Sequence, residues 1–386
     1  MKKFKLRSKE WFDNPDDPGL TALYLERYLN YGLKREDLQS GKPIIGIAQS
    51  GSDLSPCNRH FQALSKTIKD GIREAGGVPM EFPTHPIQET GKRPTAALDR
   101  NLSYLSLVEV LYGYPIDGVI LTTGCDKTTP AALMAAATVN IPSIVLSGGP
   151  MLDGNYKGKK AGSGTIIWEA RKLHAKGEID YDEFMDMAAA SAPSIGHCNT
   201  MGTASSMNSI AEALGMSLPG GAIIPAPYKE RTDISFKTGK RIVEMVFENL
   251  TPSKIMTKEA FENAVYVASA IGASSNCPPH LTAIARHMGV DFNLDQWEKL
   301  GHSIPLLANC QPAGEHLMEG FFKAGGIPAI MKELIKDKKL NIKALTVTGK
   351  TIEENLNMKI DVNRDVIKSY ENPLSHNAGF IVMKSN

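Results

Sequence analysis

Short apolar, β-branched runs alternate with helical patterns from Lys42 onward, and this alternation constrains the fold of the 386-residue chain more than any other feature. The runs at 43–49, 78–84, 118–123 and 142–148 are predicted to be buried strands with helices between them. Strands that alternate with helices form parallel sheets joined by crossover connections. The sequence therefore predicts an α/β protein with mostly parallel sheets, crossover helices and two packed subdomains.

The division of the chain follows from the same pattern. Residues 1–42 are polar and turn-rich and are predicted to be an N-terminal arm, whereas 43–386 form one α/β domain with subdomains at about 43–235 and 236–386. Two later apolar runs, at 304–310 and 344–350, are predicted to be further strands. The final residues, GFIVMKSN, also have the composition of a strand, and a chain that stops there is expected to be cut at a domain boundary.

Composition excludes several classes of protein. The chain has 43 Lys+Arg against 42 Asp+Glu, so its net charge of +1 provides no field that would attract nucleic acid or a membrane. No stretch reaches the roughly 18 apolar residues that a membrane helix needs. The basic N-terminus lacks the apolar core of a signal peptide. A cytoplasmic protein with no nucleic-acid or membrane partner is expected.

The chain has an odd number of cysteines, five, and no sign of secretion, so a disulfide framework is not expected. The alternatives are buried apolar side chains, a catalytic thiol and metal ligands. No CxxC pair occurs, so scattered cysteines bind a metal only if the fold gathers them. Cys277 (in SSNCPP) and Cys310 (in LLANC) are predicted to be buried core residues.

Three polar segments follow predicted strands, where open parallel sheets bind ligands. SGSDLSPCN (50–58) follows the first strand, HPIQE (85–89) the second and TTGCDKTTP (122–130) the third. A further thiol lies in GHCNTMGTA (196–204), before a predicted helix. These segments contain cysteines, carboxylates and a lysine, and we expect them to meet at one edge of the sheet.

These motifs, together with PSIVLSGGPM and the Ser274-Ser275-Asn276 stretch, resemble the dihydroxy-acid dehydratase and phosphogluconate dehydratase family through nearly the whole chain. HPIQETGKRPTAALDRNLSYL and LTVTGKT are most similar to its sugar-acid branch, the L-arabinonate dehydratases in particular. The resemblance implies a [2Fe-2S] cluster held by three cysteines and a Mg²⁺ ion beside it. It assigns the cluster to Cys57, Cys125 and Cys198, and the Mg²⁺ to Glu89, Asp126 and a carbamylated Lys127.

The resemblance also implies a reaction, the removal of water from a 2,3-dihydroxy acid such as L-arabinonate to give a 2-keto-3-deoxy acid. Family members are longer homo-oligomers whose C-terminal β-barrel domain supplies a serine base and a further glutamate. That domain is expected to be absent here, so no catalytic base is assigned and this chain alone is expected to be inactive. Two alternatives stay open: a non-catalytic Fe-S-binding fragment, and a dihydroxy-acid dehydratase of branched-chain amino acid synthesis.

Overall fold

Four parallel strands pair in the order β2-β1-β3-β4 in the computed structural model, which describes residues 5–88, 97–377 and 380–383. A two-stranded antiparallel hairpin, β5-β6, follows them. The strands are β1 (Ile44–Gln49), β2 (Val78–Pro83), β3 (Gly118–Thr123), β4 (Ser143–Ser147), β5 (Gly154–Tyr156) and β6 (Lys159–Ala161). The four predicted strands and the α/β class are confirmed.

Seventeen helices are found in the described parts of the chain, and they account for most of its regular structure. They are α1 (Lys9–Phe12), α2 (Pro18–Leu29), α3 (Arg35–Gln39), α4 (Phe61–Glu74), α5 (Ala97–Gly113), α6 (Thr128–Val139), α7 (Thr165–Ala175), α8 (Tyr181–Ala190), α9 (Thr203–Ala213), α10 (Lys229–Phe247), α11 (Pro252–Ile255), α12 (Lys258–Ala270), α13 (Cys277–Met288), α14 (Leu294–Gly301), α15 (Met318–Lys323), α16 (Gly326–Lys336) and α17 (Ile352–Asn355). None of these helices is both long and apolar enough to cross a membrane.

The sheet is covered on both faces, which explains why three of its four strands are buried along their whole length. Every residue of β1, β3 and β4 is buried, as expected of a parallel sheet between two helical layers. The connection from β1 to β2 runs one way along the sheet, and those from β2 to β3 and from β3 to β4 run the other way. Right-handed crossovers therefore place α4 on one face and α5 and α6 on the opposite face.

Helix α10 packs against α4 and also contacts β3 and β4. The two helices cross at Gly71 and Gly239. A Cβ atom on Gly71 would collide with the carbonyl oxygen of Phe236, and one on Gly239 with that of Ile68. Only glycine permits this close approach.

The remaining helices form a second layer, which we call the helical core. It contains α9, α12, α13, α14 and α16, and its buried side chains include Phe261, Trp297 and Ile330. These side chains belong to the same apolar cluster as Ile47 and Leu121 of the sheet. The helical core is therefore continuous with the interior of the sheet domain.

The strands predicted at 304–310 and 344–350 are wrong. Residues 304–310 are extended, but they pair with neighbouring segments only one residue at a time, as at Leu306 with Ser375 and Ala308 with Ile367. The Leu307 amide donates to the carbonyl of Ala270, at the end of α12 (2.8 Å). An apolar run thus packs against helices without a strand beside it.

In 344–350, Thr346 and Lys350 close a turn in which Gly349 has a φ of 76°. The strand expected from the final residues is also wrong for 380–383, which join no sheet among the described residues. Residues 378–379 and 384–386 lie outside the described residues.

Candidate metal centre

The crevice outside β1 and β3 is where the strand order reverses, because the chain leaves β1 in one direction and returns to its other side as β3. Ligands of open parallel sheets bind at such switch points. Cys57 follows β1 and Cys125 follows β3, so the two thiols flank this crevice. We call the turns after β1, β3 and β4 (residues 50–60, 124–128 and 148–150) the carboxyl edge.

Asn58 joins the two cysteine turns. Its side chain is fully buried, and its Oδ1 accepts a hydrogen bond from the amide of Cys125 (3.1 Å). A Cβ atom on Gly124 would collide with the same oxygen, so glycine is required there. The asparagine therefore fixes the position of the Cys125 backbone relative to the turn that contains Cys57.

Cys198 reaches the same place although no strand precedes it. The amide of Met151 donates to the carbonyl of His197 (2.9 Å), and the amide of His197 donates to Gly149 (3.0 Å), which ties the Cys198 turn to the end of β4. Asn208 of α9 connects the Cys198 turn to the turn that contains Cys125. Its Nδ2 donates to the carbonyl of Gly124 (3.2 Å) and lies 3.3 Å from His197 Nε2.

The structure thus brings Cys57, Cys125 and Cys198 together. The pKa of the Cys57 thiol is lowered, first by a hydrogen bond from Cys125 and also by Gln88, whose Nε2 lies 3.1 Å from the Cys57 sulfur. Burial, with the neighbouring Cys125, raises the pKa of Cys198 to about 11, although Ser163 donates a hydrogen bond to its sulfur. The three thiols therefore interact electrostatically, and the sulfurs of Cys57 and Cys198 receive hydrogen bonds from neighbouring side chains.

The other two cysteines are buried in the apolar cluster, although Cys277 lies near enough to Asp126 for that carboxylate to add to burial in raising its pKa. Burial raises the pKa of the Cys310 thiol to about 12, and the pKa of Cys277 is also raised by burial. Both are buried within the apolar cluster. This agrees with their prediction as core residues.

Asp126 and Lys127 are buried beside Cys125, where the chain enters α6. The side chains are 11% and 6% exposed, and Lys127 Nζ lies 2.7 Å from Asp126 Oδ1. Asp126 also affects the pKa of Cys198 electrostatically, which places the carboxylate close to the thiols. Glu89, the third predicted Mg²⁺ ligand, lies outside the described residues.

The donor set fits an iron-sulfur cluster. Three thiolates held together repel one another, and Cys125 adds to burial in raising the pKa of Cys198; a positively charged soft metal group would remove that repulsion. In residues 5–88, 97–377 and 380–383 no group of three or more His, Cys, Asp and Glu side chains is arranged to hold a metal ion. The thiols thus converge without forming a closed metal site.

The asparagines, Gln88 and Ser163 were not predicted as part of the site. Asn58 is adjacent to Cys57, and Asn208 lies ten residues after Cys198, at the end of HCNTMGTASSMN. The position of these two asparagines inside the cysteine motifs was the sequence signal that could have identified them as part of the site. Polar side chains that only hold a turn in place have no pattern of their own in a single sequence.

The chain is similar to one family model and to several dehydratases of that family. The dihydroxy-acid/6-phosphogluconate dehydratase N-terminal model matches residues 42–355. The chain is 59% identical over 382 residues to a D-xylonate dehydratase of Caulobacter vibrioides, covering 99% of this chain and 64% of that protein. It is 44% identical over 382 residues to an L-arabinonate dehydratase of Rhizobium leguminosarum (99% and 66%). It is 38% identical over 366 residues to a dihydroxy-acid dehydratase of Halothermothrix orenii (93% and 66%).

The chain spans just under two thirds of the length of the two sugar-acid relatives, at 64% and 66%. Its identity is higher to these relatives than to the dihydroxy-acid dehydratase. The match of the N-terminal model to 42–355 includes all three converging cysteines as well as Asp126 and Lys127. The chain therefore belongs to the dihydroxy-acid and 6-phosphogluconate dehydratase family.

Proposed function

We propose that this chain provides the metal-binding part of a hydro-lyase that dehydrates a sugar acid to a 2-keto-3-deoxy acid. The observation that carries the proposal is the convergence of Cys57, Cys125 and Cys198 beside the buried Asp126–Lys127 pair. Thiolates and carboxylates are suited to different metals, soft and hard. A site that presents a thiolate and a carboxylate within one turn suits a reaction that needs a soft metal group and a hard metal ion.

In this proposal the three cysteines hold a [2Fe-2S] cluster, and Asp126 and Lys127 hold Mg²⁺ together with Glu89. When bound, the cluster offers an open iron position as a Lewis acid for a leaving hydroxyl, and Mg²⁺ offers positive charge for the substrate carboxylate.

The side chains of the chain itself hold and tune this site. Gln88 and Ser163 donate hydrogen bonds to the sulfurs of Cys57 and Cys198, and donors to cluster sulfurs raise the reduction potential. Asn58 and Asn208 fix the turns around them, so the thiols are positioned before a metal arrives.

Lys127 governs the charge of the Mg²⁺ site. As a free ammonium it neutralises Asp126 and competes with a cation for Oδ1. As a carbamate it would carry negative charge and two oxygen ligands, which Mg²⁺ prefers. We therefore propose that the carbamylated form of Lys127 is the one that binds Mg²⁺.

For the substrate we propose a five-carbon sugar acid, D-xylonate or L-arabinonate. Identities of 59% and 44% to dehydratases named for these acids, against 38% to a dihydroxy-acid dehydratase, support a sugar acid over a branched-chain one.

The test measures 2-keto-3-deoxy acid released from D-xylonate, L-arabinonate, D-gluconate and 2,3-dihydroxyisovalerate by the chain joined to the remaining C-terminal part of the Caulobacter vibrioides D-xylonate dehydratase, reconstituted anaerobically with Mg²⁺. Because no catalytic base is assigned to this chain, we expect no release by the chain alone and release from a five-carbon acid by the joined protein. That release should be lost in Cys125→Ser and retained in Cys310→Ser. A joined protein that binds iron and sulfide but releases product from none of these acids would overturn the dehydratase proposal and favour a non-catalytic Fe-S-binding role. Release from 2,3-dihydroxyisovalerate alone would overturn the sugar-acid assignment.

A further inference from the structure

A buried arginine-histidine pair lies beside the proposed Mg²⁺ site. Arg100, in the first turn of α5, and His280, in the first turn of α13, are 7% and 4% exposed. Arg100 Nη1 lies 2.9 Å from His280 Nδ1. On the other side of the imidazole ring, His280 Nε2 lies 3.8 Å from Asp126 Oδ1. The histidine ring thus stands between an arginine and a proposed metal ligand.

The arginine determines which nitrogen of the ring carries the proton. A guanidinium group has hydrogen-bond donors and no acceptor, so at 2.9 Å His280 Nδ1 must be the acceptor. In a neutral imidazole the proton then resides on Nε2. The Nε2–H group is therefore directed toward the Asp126 carboxylate.

His280 Nε2 is buried, and no described residue accepts a hydrogen bond of ordinary length from it. The 3.8 Å separation from Asp126 Oδ1 is too long for one, and Lys127 Nζ donates to that oxygen at 2.7 Å. A buried donor without a partner costs about 1–3 kcal/mol. A donor in this position is ready to bond Asp126 once Lys127 withdraws.

We infer that His280 is a positioning residue for Asp126, and that Arg100 holds it in the tautomer this role requires. The inference rests on the proposed Mg²⁺ site. When Lys127 is carbamylated it has no ammonium proton to donate, and His280 Nε2–H replaces it on Oδ1. This hydrogen bond would hold the Asp126 carboxylate in the orientation in which it binds the cation. Donors behind metal ligands orient them in this way.

The test uses Mn²⁺ as a probe and measures its dissociation constant by electron paramagnetic resonance, with the full chain in bicarbonate buffer. We expect His280→Leu to weaken Mn²⁺ binding about tenfold, the lower end of what outer-shell changes cost. His280→Gln, which keeps an amide N–H near the Nε2 position, restores most of that affinity. Arg100→Met weakens binding in the wild-type background and adds little in His280→Leu, because the two residues act as a unit.

His287→Leu is the matched control. His287 lies on the same helix and contacts Thr138 and Tyr104 instead of Asp126, so its loss should leave Mn²⁺ binding unchanged. Nitrogen-15 NMR of the imidazoles should show His280 protonated at Nε2, and Arg100→Met should change its shifts.

The results distinguish a failure of the role inferred for His280 from a failure of the proposed Mg²⁺ site. Mn²⁺ affinity that is unaffected by Asp126→Asn would refute the Mg²⁺ site itself. Affinity that falls in Asp126→Asn but is equal in His280→Leu and wild type would refute the role of His280. If Mn²⁺ affinity falls in His280→Leu and does not recover in His280→Gln, the imidazole ring of His280 acts only by filling space.

Discussion

The carboxyl edge and the helical core bury cysteines in opposite surroundings. At the carboxyl edge, Cys57 and Cys125 share a hydrogen bond, and Gln88 donates to the Cys57 sulfur, so the pKa of Cys57 is lowered. In the apolar cluster that extends into the helical core, Cys310 is 2% exposed and its pKa is raised to about 12 by burial. Burial alone therefore raises the pKa of a cysteine in this protein, whereas a neighbouring thiol and a hydrogen-bond donor lower the pKa of Cys57.

The two regions also differ in their buried polar side chains. His60 and Asn58 are buried at the carboxyl edge, whereas Phe261 and Ile330 are typical of the helical core. We therefore expect changes at the carboxyl edge to affect metal binding and pH dependence, and changes at buried apolar side chains of the helical core to affect the free energy of unfolding alone.

The largest effect on stability is expected from Phe261→Ala. Phe261 is fully buried and its ring centroid lies 5.8 Å from that of Phe292. Its truncation should lower the free energy of unfolding by about 3–5 kcal/mol, measured by denaturant titration. The control Phe247→Ala removes a ring that is 59% exposed and should cost less than about 0.5 kcal/mol. Loss of iron from folded Phe261→Ala protein would show that the two regions are not separable.

Asp126→Asn is expected to have the largest effect on the proposed Mg²⁺ site. It removes a buried carboxylate while preserving its shape, and the Mn²⁺ affinity should fall about a hundredfold, at the upper end of what even indirect changes cost. Isothermal titration calorimetry gives the constants. Asp53→Asn, at an exposed carboxylate of the same edge that pairs with Arg59, is the matched control and should bind as wild type. An equal loss of Mn²⁺ affinity in Asp126→Asn and Asp53→Asn would point to a general effect of the negative charge at this edge.

The pH dependence of stability should come partly from His60. Its Nε2 donates to the carbonyl of Gly148 (2.9 Å), and burial lowers its pKa from 6.5 to about 4. Between these values the unfolded chain binds a proton that the folded chain does not, so stability falls as the pH falls. The contribution is about 1.4 kcal/mol per pH unit.

His60→Gln should therefore flatten the pH dependence of the free energy of unfolding by about one proton between pH 4 and 6.5. Cys310→Ser, which changes no group that titrates there, should keep the wild-type slope. An unchanged slope in His60→Gln would show that His60 is charged in the folded protein.

The smallest effect is expected at the N-terminal end of α17. Thr351 and Glu354 form a capping box at α17, with the Thr351 amide 2.8 Å from Glu354 Oε2. Thr351→Ala should lower the free energy of unfolding by about 1 kcal/mol, whereas Thr351→Ser, which keeps the hydroxyl, should cost little. Iron binding should be unchanged in both. A loss of iron in Thr351→Ala would contradict the separation of the regions.

The sheet and the two strand-end thiols could be predicted because buried parallel strands are apolar throughout and bind ligands at their carboxyl ends. The same apolar pattern led to a wrong strand prediction at 304–310, where an apolar run packs against helices without a neighbouring strand. Cys198 could not be placed from local pattern, because backbone bonds to the end of β4 bring it in. The same holds for His280, which meets Asp126 from 154 residues away along the chain.

The central claim is that Cys57, Cys125 and Cys198 hold one iron-sulfur cluster together. Iron, acid-labile sulfide and visible absorbance, measured after anaerobic reconstitution of the chain and its single serine variants, test it most directly. The account predicts about two irons and two sulfides per chain for wild type and Cys310→Ser, as in a [2Fe-2S] cluster, and near-complete loss in each of the other three variants. Full iron content in any of those three, or equal loss in Cys310→Ser, would contradict it.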